Sequence, residues 1–208
     1  MPLKMGDADA FRQAIFNLGT GVNDFYRLLG QGTLKAGEHY DRADFACVLG
    51  QEMAGYATGE VFFVSQALGL RHSHLDTGGY AYDQKAEDKN VEKAVAFLVK
   101  DEQNRVFLTS MVACLFARSI YSDALLSECL HSVGYDELAD NIGQASRHIQ
   151  KLRWQTRVKT GFDPRTLQIP NRFSEVTTWK GPVDPVFLQA LKDAYGVRIL
   201  ELAKGDEG

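Results

Sequence analysis

The residues best suited to chemistry in this 208-residue chain stand in one short stretch, Arg71-His-Ser-His-Leu-Asp76, directly after an apolar run of helix length, Val61-Phe-Phe-Val-Ser-Gln-Ala-Leu68. Two residues apart in an extended segment point the same way, so His72 and His74 could share one metal or one substrate proton. A run that is apolar on nearly every face is buried on nearly every face. Polar groups at its end therefore emerge inside the protein, where an unpaired one costs several kcal/mol, on the order of. By residue type alone the pair reads as satisfied structural histidines before it reads as a site, and no third histidine or carboxylate is spaced to complete a zinc centre.

The other reactive side chains are three cysteines, Cys47, Cys114 and Cys129. Each lies in or beside an apolar pattern, where free cysteine is by default a small core residue. The odd number excludes a full disulfide framework and suits a reducing cytoplasm. No Cys-x-x-Cys pair occurs, so the chain offers no all-cysteine metal site. Nucleophile elbows, phosphate-binding glycine loops and dinucleotide fingerprints are also missing. Gly19-Thr-Gly21 and Gly30-Gln-Gly32 lack the preceding strand that such loops need.

The elements that must position these groups read as helices. Phe11, Ala14, Ile15 and Leu18 stripe a first helix opened by Gly6-Asp7, and Val22, Phe25, Leu28 and Leu29 stripe a second. Thr33 to Tyr40 reads as a short helix, while Asp44 to Gly50 fits a turn of helix or a strand. Asp76 to Lys85 reads as an irregular connection and a lobe boundary. Val91, Ala94, Val95, Leu98 and Val99 stripe another helix, and Val106 to Ala117 forms a second buried run. Leu125, Leu126, Cys129 and Leu130 mark the next, ended at Gly134 by a Schellman-type signal. Asp136 is expected to cap the longest helix, seamed by Leu138, Ile142, Ala145, Ile149 and Leu152. Lys151, Arg153, Arg157 and Lys159 at its far half read as a solvated helix end. Asn171 to Lys180 could be extended, and Asp184-Pro185 starts a final helix. The fold class is all-α, multihelical, with two packed helical lobes, residues 1–83 and 84–208, and few or no strands.

Hydrophobic content of 45%, charge of 24% and a net charge of −4 describe an ordinary globular protein. No basic field exists to attract nucleic acid or anionic lipid. No apolar run approaches the ~20 residues of a membrane span, and no leader is evident, so a cytoplasmic location is expected.

In these residues the chain resembles the C-terminal, all-helical part of the aldehyde ferredoxin oxidoreductase family, tungsten or molybdenum bis-pterin enzymes with one [4Fe-4S] cluster. Met5-Gly-Asp-Ala-Asp-Ala-Phe11 is similar to a helix start of that family, and Gly19 through Gly37 to its glycine-punctuated helix pair. Gly50-Gln-Glu52 resembles the segment before its substrate-side helix. Leu70-Arg-His-Ser-His-Leu75 resembles the family's Arg-Gly-x-x-His-Leu, which implies that His74, with His72 beside it, handles a proton near the metal. Thr109-Ser-Met-Val-Ala-Cys114-Leu-Phe resembles Asp-Ser-Leu-Gly-Leu-Cys-x-Phe. That match implies a pterin edge lined by Thr109, Ser110 and Ala113, and Cys114 as the fourth cluster ligand. Gly143 to Gly161 and Ile169-Pro-Asn-Arg-Phe173 resemble the family's closing segments.

The resemblance further implies a small aldehyde as substrate, a ferredoxin-like electron acceptor, and an N-terminal pterin-binding domain or subunit as partner. The family's Cys-x-x-Cys-x-x-x-Cys triad and its Asp-x-x-Gly-x-Asp pterin motif do not occur here, so the chain is expected to be a piece of a longer enzyme, inactive by itself. Thr109 stands where the family has a pterin-contacting aspartate, and Val112 where it has glycine. A helical scaffold or interaction subunit that has lost its cofactors is the alternative.

Overall fold

The computed structural model describes residues 3–43, 47–48, 51–52, 58–69 and 77–204. The chain divides into two compact units, Met1–Glu52 with Pro170–Arg172, and Met53–Ile169 with Phe173–Gly208. The boundary expected at residues 83–84 falls within the second unit.

The first unit carries three short helices, α1 (Ala8–Thr20), α2 (Asp24–Leu29) and α3 (Thr33–His39), and a two-residue ribbon of β1 (Cys47–Val48) against β2 (Gln51–Glu52). Asp7 caps α1 by accepting from the Ala10 amide at 2.9 Å, and Asn23 caps α2 by accepting from Tyr26 at 3.1 Å. Gly21 closes α1 at φ 57° with a Schellman pair, its own amide to Leu18 and that of Val22 to Asn17. The helices form where their periodicity predicts, yet none of α1–α3 contains a buried residue. Phe11, Ile15 and Phe25 are each more than half exposed. The period was real, but no partner surface covers the stripe among the described residues of this unit.

In the second unit the run after Gly59 is α4 (Glu60–Leu68), and all nine of its residues are buried. Burial of each Val, Phe or Leu contributes about 1.5–3 kcal/mol. Gly59 gives α4 no capping side chain, and the cap comes from α5 (Gly79–Lys85) instead. Asp83 accepts from the Val61 amide at 3.2 Å, the Phe62 amide at 2.9 Å and the Thr58 hydroxyl at 3.3 Å. The expectation of an irregular connection over Asp76 to Lys85 is therefore corrected over residues 79–85. Adjacent glycines read there as a loop, but Gly79 serves close packing. A Cβ on it would sit 2.8 Å from the Val61 carbonyl and 2.9 Å from the Phe62 Cα.

Three long helices complete the unit: α6 (Val91–Ser110), α9 (Ile142–Lys159) and α10 (Pro185–Lys204). Asp184 caps α10 as expected, accepting from Val186 at 3.0 Å and Phe187 at 3.1 Å. Between α6 and α9 lie α7 (Asp123–Ser132) and α8 (Asp136–Asp140). Gly134, at φ 82°, ends α7 in the expected Schellman geometry, with its amide on His131 and that of Tyr135 on Leu130. The single helix expected from Asp136 onward is broken at Asn141 (φ −122°, ψ 27°), whose side chain turns back to the Glu137 carbonyl at 2.9 Å. Its buried face is also corrected. Ile142, Ser146, Gln150 and Trp154, spaced by four, face inward, whereas Leu152 is 47% exposed.

Beyond these elements the described residues hold one more two-residue ribbon, β3 (Thr177–Thr178) with β4 (Gly181–Pro182), and two 3₁₀ turns. The chain is all-α in class, as its periodicities predict.

Candidate functional site

His72 and His74 lie outside the described residues, as do Arg71 and Asp76. The residues that flank residues 70–76 are fixed. The Thr77 hydroxyl, fully buried, donates to Ser65 Oγ at 2.7 Å, and Ser65 donates to the Phe62 carbonyl at 2.9 Å. At the other flank Arg157 donates through Nη1 to the Gly69 carbonyl. Its guanidinium lies 4.1 Å from the Phe162 ring centroid and 5.8 Å from that of Trp154. Burial pulls the Arg157 pKa down, while Glu102 and Tyr195 pull it up. Arg157 is thus half-buried against aromatic rings and bonded to Gly69, which is more than a solvated helix end.

Beneath Arg157 is a carboxyl that the sequence reading passed over. Glu102 on α6 is fully buried, and its Oε1 accepts from Gln150 Nε2 at 2.8 Å and Trp154 Nε1 at 2.7 Å. Tyr195 of α10 donates to Oε2 at 3.4 Å. Burial raises the Glu102 pKa to about 7 against these three hydrogen bonds. The signal was present: Glu102 stands four residues after Leu98 on the apolar stripe of α6, a carboxyl on a face meant for the core. Asp83, raised by burial to about 6, is a second displaced carboxyl.

The second candidate region is the end of α6. Thr109 is half-buried, and its hydroxyl donates to the carbonyls of Arg105 and Val106, both at 3.0 Å. Ser110 is exposed and donates to Val106 at 2.8 Å. Both hydroxyls are bonded to their own helix. The chain then leaves α6 through a Schellman motif, Val112 amide to Thr109 and Ala113 amide to Leu108, with Val112 at φ 59°. A β-branched residue in the left-handed region is strained by about 1–2 kcal/mol. Val112 occupies the conformation that a glycine would adopt freely.

Ala113 packs against the cluster of Phe107, Leu108, Leu115 and their neighbours. Cys114 is exposed and precedes the 3₁₀ turn Leu115–Ala117. Phe116 is 78% exposed. The expectation of one buried run from Val106 to Ala117 is corrected: burial is continuous only to Leu108, because the helix ends at Ser110 and the turn reverses the chain outward. The core assignment of Cys114 and Cys129 is overturned as well, since both thiols are exposed, and Cys47 is only partly covered. Burial and the neighbouring Glu52 raise the Cys47 thiol.

No group of three or more His, Cys, Asp or Glu side chains among the described residues is placed to hold a metal. One exposed thiol at a left-handed turn fits a single ligand to a cluster whose other ligands come from elsewhere. The donor set of Thr109 and Ser110 fits a pterin edge less well than a carboxylate, because a hydroxyl bonded to its own helix is not offered outward. No helix of the described residues is long and apolar enough to cross a membrane.

Residues 1–201 match the family model described as aldehyde ferredoxin oxidoreductase, domains 2 & 3, and the chain belongs to that family. No curated protein and no solved structure matches it.

Proposed function

We propose that this chain forms the substrate-side helical part of a ferredoxin-linked oxidoreductase that converts a small aldehyde to its carboxylate. The single observation that carries the reading is Cys114, exposed just after the left-handed Val112 at the end of α6, where the resemblance of Thr109 to Phe116 to the family's Asp-Ser-Leu-Gly-Leu-Cys-x-Phe implies a cluster cysteine. When bound, a tungsten- or molybdenum-bis-pterin supplies the two-electron redox chemistry and a [4Fe-4S] cluster the relay to a ferredoxin-like acceptor.

The chain's own residues have narrower tasks. Cys114 Sγ serves as one thiolate ligand. Thr109, Ser110 and Ala113 line a pterin edge, through backbone groups where the hydroxyls are bonded to α6. His74, with His72 beside it, takes a proton on an imidazole nitrogen as water adds to the carbonyl carbon and returns it to solvent. The uncovered apolar faces of α1 and α2 support contact with a pterin-binding domain or subunit that brings the remaining cluster ligands. A cytoplasmic setting suits three free thiols.

The test is metal analysis with a visible spectrum on the native protein isolated anaerobically, wild type against Cys114→Ala. The expected result is about four irons per chain with tungsten or molybdenum, and cluster absorbance lost in the variant. A colourless, metal-free native protein would sink the reading and leave a helical scaffold as the function.

A further inference from the structure

A cavity of about 330 Å³ opens between α6, the start of α7, the turn before it and the first turn of α9. Its size lies at the small end of ligand pockets, which run from about 300 to 1,000 Å³. The floor is apolar: Phe107, Leu108, Leu126 and Ile142 line it, and each is at most 7% exposed. Lys100, Arg105 and Arg118 also line it, with Asp101 and Asp123 and the polar side chains of Asn104, Ser119, Tyr121 and Ser146. Two of these cations are held in place. Arg105, 3% exposed, donates through Nε to Asp101 at 2.6 Å. Arg118 donates to the Leu115 carbonyl at 2.8 Å and to the Tyr80 hydroxyl. Three cations against two carboxylates leave this wall one positive charge in excess, in a chain whose net charge is −4.

We propose that this cavity is a binding site for a small organic monocarboxylate with an apolar body, such as an aromatic acid. The buried floor of Phe107, Leu108, Leu126 and Ile142 suits an apolar body, which a bare inorganic anion lacks. The single excess charge matches a monoanion better than a dianion. Arginines already fixed by other hydrogen bonds lose little freedom on binding, which favours a small ligand. The site needs none of the groups assigned above to metal or pterin. Its ligand is the class of compound that the proposed reaction would release, so it is suited to sensing or holding product.

The test is calorimetric titration of the full 208-residue chain, without cofactors, with benzoate, benzyl alcohol and inorganic phosphate. Benzoate is expected to saturate one site, with the neutral alcohol and phosphate each at least about tenfold weaker, as expected when a charge-assisted hydrogen bond or the apolar contact is missing. Arg118→Gln is expected to weaken benzoate about tenfold. Leu126→Phe, which fills the cavity and keeps every cation, should abolish binding. If Leu126→Phe does not fold, Lys100→Gln on the exposed rim replaces it and should weaken benzoate several-fold. No saturation with benzoate, equal binding of phosphate, or benzoate binding indifferent to these variants would overturn the proposal. Iron and tungsten play no part in this readout, so either result leaves the aldehyde reading where metal analysis puts it.

Discussion

Two apolar runs look alike in the sequence, Val61–Leu68 and Val106–Ala117, and the fold treats them oppositely. The first becomes α4, buried on every face, with its helix start capped by Asp83 from another element and the carbonyl of Gly69 held by Arg157. The second stays buried only to Leu108, then turns through a strained Val112 and brings Cys114 and Phe116 to the surface. The contrast separates two kinds of work. Around α4, the side chains of Ser65, Thr77 and Asp83 serve the fold and are bonded internally. At the end of α6, the chain accepts strain and exposure that contribute nothing to its own stability.

The largest effects should appear on the buried side. Gly79→Ala places a Cβ against the α4 backbone and the Ser65 hydroxyl, and neither can move without opening the pair of helices. Urea denaturation should show a loss of about 2–3 kcal/mol. An unchanged midpoint would mean that α4 and α5 do not pack this closely. Glu102→Gln probes the same interior through pH. The folded pKa of Glu102, about 7, lies above its ordinary 4.5, so the folded state binds the extra proton. Its contribution is fully present below about pH 4.5, shrinks as pH rises toward 7, and is then about 3 kcal/mol lower. Glutamine copies the protonated acid: Oε1 still accepts from Gln150 and Trp154, and Nε2 can donate to Tyr195. The variant should match wild type near pH 4, exceed it by about 3 kcal/mol at pH 8, and keep the smaller slope that Asp83 produces between its ordinary 3.8 and about 6.

The sequence made some of this contrast legible and hid the rest for identifiable reasons. Helix periods, the buried run of α4, the Asp184 cap and the Gly134 turn were readable because each depends on neighbours in the chain. The polar face of α9 was not. Ser146, Gln150 and Trp154 repeat at four residues and look like an ordinary solvated side until Gln103 and Glu102 of α6 meet them. A short helix at Gly79 was hidden because the reason for that glycine is the α4 backbone, and for Gly78 the Asp101 carboxylate of α6, both distant in sequence. At the candidate site, the resemblance set Val112 where the family has a glycine, but periodicity placed Cys114 in the core. Only the Schellman reversal, which a valine does not announce, turns it outward.

Val112→Gly sharpens the comparison with a gain. Val112 is 92% exposed, so its side chain gives up no packing, and glycine takes a φ of 59° without strain. Stability should rise by about 1 kcal/mol after the entropy that glycine adds to the unfolded chain. The reciprocal change, Gly134→Val in the same motif at the end of α7, should cost a similar amount. If Val112→Gly is neutral while Gly134→Val is not, the left-handed turn at 112 is not held as described.

The smallest effect is the most informative about function. Cys114 is exposed, so Cys114→Ser should change stability by less than about 0.5 kcal/mol, as surface substitutions do. Alkylation should reach Cys114 and Cys129 before Cys47, whose thiol is partly covered and harder to ionise. A large loss of stability, or slow modification of Cys114, would return that thiol to the core and erase the difference between the two runs. A silent substitution carries the opposite consequence. Loss of iron in Cys114→Ala of the native protein could then be read as loss of a ligand, because the fold around position 114 would already be known not to depend on it.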